Sequence, residues 1–156
     1  MIYVFDTSSF SEFKHFYPEV FKSVWTGLEE LVEQQKLIST REVWNEMQRG
    51  DADQHTNEWL KNRKHIFTTP TAEEMQFVAE IFRVPHFHGL IGQKQRLKGD
   101  PVADPFVIAC AKVVGGTVVT EERFKDGASK IPNVCQHFGV PCTRLQGFMQ
   151  QQGWSF

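Results

Sequence analysis

Short apolar runs of strand character alternate with stretches of helical periodicity from one end of this chain to the other. That alternation constrains the fold most, because strands separated by helices pair in parallel and need cover on both faces. The first run, residues 2–5, is apolar with Val and aromatic side chains and stops at Asp6, which predicts a buried strand with a carboxylate at its tip. Thr7-Ser8-Ser9 reads as a polar turn. Pro18 opens a predicted helix to about residue 36, with Val20, Val24, Leu28, Leu31 and Val32 near helical spacing. Leu37-Ile38 is a second strand, and Ser39 begins a helix that turns Val43 and Met47 inward and closes at Gly50. Asp51 starts a polar helix to about residue 65, and Ile66-Phe67 forms a third strand. Thr71 with Glu74 makes a capping box that opens a helix to about residue 83, stopped by Pro85. Residues 86–99, polar and basic in their second half, read as either a helix or a mobile loop. Asp104-Pro105 reads as an N-cap followed by proline at the first helical position, and Phe106-Val107-Ile108-Ala109-Cys110-Ala111 is apolar all round, so this helix is buried. Gly115-Gly116 ends it. Residues 117–120 form a strand that finishes at Glu121 and Glu122; a short helix near 134–138 and a strand near 142–145 follow.

The 156 residues fit one domain, residues 1–156, large enough to fold without disulfides or a structural metal. The three cysteines form no C-x-x-C pair, which points to free thiols in a reducing cytoplasm. The N-terminus lacks the basic region and apolar run of a signal peptide, and no stretch approaches the roughly 18 apolar residues of a membrane span. A formal net charge of −2 is not that of a strong nonspecific nucleic-acid binder. Any nucleic-acid contact must come from local basic patches, or through metal ions that draw the phosphate in.

In a parallel sheet, ligands bind beyond the carboxyl ends of the strands. Asp6 and the pair Glu121-Glu122 stand directly after strands, at one edge if those strands are neighbours. The acids attached to apolar elements are Asp6, Glu42, Glu46, Asp100, Asp104, Glu121 and Glu122. Packed carboxylates repel, and desolvation raises their pKa values, so a cluster of them is unfavourable without a cation. Mg²⁺ and Mn²⁺ take such oxygen ligands and can serve in-line displacement at phosphorus.

Four segments carry a family likeness: Tyr3-Val4-Phe5-Asp6-Thr7-Ser8; Ile38-Ser39 followed by Glu46-Met47-Gln48-Arg49-Gly50; Asp104-Pro105-Phe106-Val107-Ile108-Ala109-Cys110-Ala111; and Val119-Thr120-Glu121-Glu122-Arg123-Phe124. In order and spacing they resemble the PIN domains, small nucleases typified by VapC-like toxins of toxin–antitoxin pairs. The resemblance extends along nearly the whole chain. It implies a three-layer α/β/α sandwich around a mostly parallel sheet, an acidic quartet, Mg²⁺ or Mn²⁺, and cleavage of single-stranded RNA. By motif position Asp6, Glu46 and Asp104 carry over as catalytic and metal-binding residues. The family's fourth acid lies two residues after a Thr, which selects Glu122. The Phe that follows is one residue closer than usual, which keeps Glu121 open as a substitute. Ser8 and Thr120 would orient carboxylates or water through their hydroxyls. The toxin role implies a cognate antitoxin.

Plainer readings stand beside these. Asp6 could cap a turn. Ser39-x-x-Glu42 has capping-box spacing, which explains Glu42 but not Glu46 one turn later. Asp104 suits an N-cap, whose carboxylate keeps lone pairs for a metal, and Asp100 before Pro101 suits a turn. His86-x-His88 lacks a partner pair for a transition metal. The basic runs Lys61-Asn62-Arg63-Lys64-His65 and Lys94-Gln95-Arg96-Leu97-Lys98 read as solvated faces before RNA contacts, and Trp25, Trp44 and Trp59 as core or interface anchors before base platforms. The exposed ends of the early helices could form a groove for an antitoxin or a homodimer. Two other functions compete: a phosphatase with Asp6 as nucleophile, disfavoured because Ser8 stands where a second Asp is needed, and a catalytically silent binding module on the same scaffold. No G-x-G-x-x-G follows a strand, so Rossmann-type nucleotide binding lacks support.

Overall fold

The computed structural model describes residues 1–50, 53–91 and 102–156. Strands β1 (Tyr3–Phe5), β2 (Leu37–Thr40), β3 (Phe67–Thr68), β4 (Thr117–Val119) and β5 (Cys142–Thr143) form one parallel sheet in the order β3-β2-β1-β4-β5. Tyr3 registers with both Leu37 and Thr117, and Phe5 with Val119. After β1 the chain builds outward through β2 and β3, then returns to lay β4 and β5 on the other side. The strand order therefore reverses at β1, and in open parallel sheets the crevice at such a reversal is where ligands sit.

Helices α1 (Thr7–Ser11), α2 (Lys22–Glu33), α3 (Arg41–Arg49), α4 (Gln54–Lys61), α5 (Ala72–Phe82), α6 (Asp104–Val114), α7 (Ile131–Phe138) and α8 (Leu145–Gln151) connect and cover the strands. Alternation along β1 sends Tyr3 and Phe5 to one face. There both rings meet Phe148 of α8, with centroids 4.8 and 5.0 Å apart, and Phe5 also meets Phe10 of α1 at 5.2 Å. Val4 turns to the opposite face, where α6 crosses β1, β2 and β4 and is backed by α5. Five of the six side chains from Phe106 to Ala111 are buried, as the all-apolar run predicts. The result is a three-layer α/β/α sandwich. Among the described residues no helix is long and apolar enough to cross a membrane.

Several local expectations are corrected. Thr7-Ser8-Ser9 is not a free turn but the start of α1, with Asp6 as its N-cap. Pro18 lies in a turn, and α2 begins only at Lys22. Strand β2 runs through Thr40, whose ladder partner is Thr68 of β3, and the Ser39 hydroxyl donates across the sheet to the Phe5 carbonyl at 2.6 Å. Thr40, not Ser39, caps α3, so the Ser39–Glu42 box does not form. At α6 the N-cap is Ala103; Asp104 is the first helical residue and its side chain caps nothing. Helix α8 was not anticipated. The expected helix start at Asp51 lies outside the described residues; α4 is capped by Asp53.

The Thr71–Glu74 capping box forms as read, with Thr71 accepting from the Glu74 amide at 3.1 Å and Glu74 from the Thr71 amide at 2.6 Å. Thr71→Ala is expected to cost about 1 kcal/mol, read as a lower urea midpoint at unchanged slope. Gly115 takes a left-handed φ of 69° to end α6, a conformation that favours glycine. Cys110 and Cys135 are buried free thiols and Cys142 is partly buried. Burial pushes the Cys110 thiol up to about 12, while a hydrogen bond to Cys142, together with burial, raises Cys135.

Candidate functional site

Asp6 ends β1 at the strand reversal, is 4% exposed, and its carboxylate is fixed on both oxygens. The Ser8 hydroxyl donates to Oδ1 at 2.7 Å and the Ser9 amide to the same oxygen at 3.1 Å. The Thr120 hydroxyl, at the end of neighbouring β4, donates to Oδ2 at 2.8 Å. These bonds favour the ionised form, yet burial outweighs them and holds Asp6 at about 6, above its ordinary 3.8. Ser8 also accepts from the Glu121 amide at 2.9 Å, and Thr120 from the Glu122 amide at 3.2 Å. The hydroxyls thus tie the loop after β4 to Asp6 and the first turn of α1.

Glu46 reaches the same end of the sheet from α3. Its Oε1 accepts from the Thr7 hydroxyl at 2.6 Å and its Oε2 from the Ala103 amide at 2.8 Å. The second bond joins Glu46 to the residue before Asp104. Asp104, partly buried, is pushed up to about 8, first by desolvation and then by the negative charges of Glu122, Asp6 and Glu46. Four acids from four separate segments therefore share one electrostatic neighbourhood. Glu122 accepts from the Ile131 amide at 3.0 Å, which places it at the start of α7. A cavity of about 590 Å³ opens between Asp104, Glu122, Leu90, Gly127 and Lys130.

The adjacent Glu121 turns elsewhere. Its carboxylate accepts from the Leu145 amide at 2.7 Å and from Arg144 Nη2 at 3.0 Å, so it caps the start of α8. Glu42 lies on α3, 9% exposed, with Oε1 bound by Arg41 and Oε2 buried without a partner among the described residues. Among the described residues its side chain pairs with Arg41 and not with the other acids. Asp100 and the run 94–98 lie outside the described residues. His86 and His88 each place Nε2 on a backbone carbonyl, of Ala128 and Phe82 respectively. Arg63 pairs with Glu29 and stacks on Trp59, and Lys64 lies over Trp44. Trp25 is core, its Nε1 bonded to the Phe16 carbonyl at 2.7 Å.

The donor set is all hard carboxylate oxygen, which suits Mg²⁺ or Mn²⁺. Among the described residues, no group of three His, Cys, Asp or Glu side chains is arranged to ligate one ion as it stands. Glu46 and Glu122 each give an oxygen to a backbone amide, and such an oxygen retains a second lone pair. The repulsion that raises Asp104 is the feature a divalent cation relieves.

Residues 3–156 match a family model described as Domain of unknown function (DUF4411). The chain belongs to the DUF4411 family. No functionally curated protein matches it. Among solved structures it is similar to VapBC2 from Rickettsia felis, described as bound to a DNA fragment from their promoter, at a TM-score of 0.53 and 15% identity over 92% of this chain and 98% of that one. It is also similar to PAE2754 from Pyrobaculum aerophilum at a TM-score of 0.39 and 16% identity, over 89% of this chain and 97% of that one. The likeness to VapBC2 is one of fold: the DUF4411 chain has a PIN-like three-layer architecture.

Sequence reasoning missed several groups that shape this DUF4411 site. Ser9 follows Asp6 with N-cap spacing, a signal hidden by reading the triplet as a turn, while Thr7 reaches Glu46 only through the tertiary fold. The Ala103 and Ile131 amides and Lys130 leave no local signal, because only the tertiary fold brings them to Glu46, Glu122 and the cavity.

Proposed function

We propose that this DUF4411 protein is a metal-dependent endoribonuclease that acts as the toxin of a toxin–antitoxin pair. The observation that carries the reading is that Glu46 is bonded both to Thr7, next to Asp6, and to the amide before Asp104, at the end of the sheet where burial and the charges of Glu122, Asp6 and Glu46 raise Asp104. Such an arrangement is destabilising in itself, and chains keep it where a cation is held. Asp6, Glu46, Asp104 and Glu122 are the residues that would hold Mg²⁺ or Mn²⁺. The bound ion supplies a water of lowered pKa and counter-charge for the leaving oxygen of an in-line displacement. Ser8, Ser9 and Thr120 fix the Asp6 carboxylate, and Thr7 fixes Glu46. Lys130, on the wall of the acidic cavity, would attract a phosphate.

RNA as substrate rests on the resemblance to PIN domains, and the antitoxin partner on the same resemblance together with the fold likeness to VapBC2, whose description names a paired assembly on promoter DNA. A homodimer through the exposed ends of the early helices is the other partner this reading allows.

The test is a cleavage assay on single-stranded RNA with Mg²⁺ or Mn²⁺, beside chelator and beside a small phosphoester. Cleavage of RNA that chelator abolishes is the expected result. Turnover of the small ester alone would transfer the site to phosphatase chemistry, and inertness in every arm would leave a binding module.

A further inference from the structure

Glu122 is a wall shared by two cavities. One is the acidic cavity with Asp104 and Lys130; the other, about 450 Å³, lies on its far side and is lined by Arg123, Phe124, Gln136, Cys142 and Arg144 among others. The second cavity has a different chemistry. Phe124 is 49% exposed and presents an aromatic ring to this cavity, whose wall also includes Arg123 and Arg144. Arg144 uses Nη2 on Glu121, but its Nε is buried without a partner among the described residues.

We infer that this second cavity is a subsite for one unstacked nucleobase of a single-stranded RNA whose phosphate lies at the acids. The inference rests on the nuclease reading and adds where the strand is gripped. An RNA strand crossing Glu122 sets its phosphate beside Asp104 and Lys130 and its next base over Phe124. Aromatic rings and guanidinium planes are the usual platforms for unpaired bases, and stacking tolerates any base. The Gln136 amide and the Arg123 guanidinium add donors that can meet a base edge. A volume of about 450 Å³ falls within the range of small-ligand sites. The surface is made by the loop after β4, helix α7 and the end of β5, so its position relative to Glu122 is set by the sheet.

The experiment measures kcat and KM for wild type, Phe124→Ala, Phe124→Trp and Arg123→Ala on a single-stranded RNA of defined cleavage position, and repeats each with an abasic nucleotide beside the scissile phosphate. Phe124→Ala is expected to raise KM roughly tenfold at little changed kcat, with Phe124→Trp restoring it. The abasic substrate should cost wild type a similar factor and cost Phe124→Ala almost nothing further, because both changes remove one contact. An unchanged KM in Phe124→Ala, or independent losses from ring and base, overturns the subsite while the nuclease stands. Absence of RNA cleavage by wild type overturns both.

Discussion

Asp6→Asn is expected to lower RNA cleavage on the order of 10³-fold or more while leaving the circular dichroism spectrum unchanged. The side chain is an N-cap and a hydrogen-bond acceptor as well as a carboxylate: it takes the Ser9 amide, the Ser8 hydroxyl and the Thr120 hydroxyl. Asparagine caps helices about as well as aspartate, so α1 is retained. Asn offers one carbonyl oxygen where Asp offers two, and its amide group meets donors at the other position. What is lost is charge at the strand reversal. Steady-state kinetics on single-stranded RNA at saturating Mg²⁺ should therefore show the loss in kcat. Cleavage retained within a few-fold would remove Asp6 from the chemistry.

Asp104→Asn is expected to do the opposite to stability and make the metal-free protein more robust at pH 8. Burial and three neighbouring acids hold Asp104 at about 8 in the fold against an ordinary 3.8. Between pH 4 and 8 the folded state thus keeps a proton that the unfolded chain has released. Unfolding releases that proton, so stability falls as pH rises through this window and levels off above it. Asp6, held at about 6, adds a smaller fall of the same sign between pH 4 and 6. Asparagine at 104 cannot ionise and abolishes the first of these slopes. The gain at pH 8 is about 2–4 kcal/mol after allowance for solvent relaxation around a partly buried group. That corresponds to roughly 5–10 °C in Tm for a chain of this size. At pH 4 the two proteins should melt alike. Urea melts in chelator across this range read the difference directly; equal stability at pH 8 would mean that Asp104 carries no charge burden.

The sheet was legible because each strand is an apolar run bounded by polar residues, and the capping box at Thr71 and the stop at Gly115 follow local rules that need no tertiary information. The misreadings share one cause, a partner distant in sequence. Ser39 looked like a cap, but its hydroxyl belongs to Phe5 across the sheet, and the cap passes to Thr40. Helix α8 is short, carries Gly147 in its middle, and is capped by Glu121 from 24 positions upstream, so nothing local announced it. The same capping bond separates the two adjacent acids after β4, directing Glu121 to α8 and leaving Glu122 as the one whose charge Asp104 feels. At the candidate site seven acids stand out as attached to apolar elements, and the motif positions of the PIN resemblance narrow them to Asp6, Glu46, Asp104 and Glu122. Their neighbours do not stand out, since a threonine hydroxyl or a backbone amide becomes a site group only when the sheet order places it there.

Calorimetric titration of Mn²⁺ into the metal-free wild-type protein and the Asp104→Asn variant at pH 7, in buffers of different ionisation enthalpy, bears most directly on the shared acidic centre. A protein whose Asp104 is protonated at this pH must give up that proton to bind the ion. Wild type should therefore bind Mn²⁺ with release of close to one proton, and the variant should bind far more weakly and release almost none. A wild-type protein that takes up no Mn²⁺, or a variant that binds it equally well, would contradict the account.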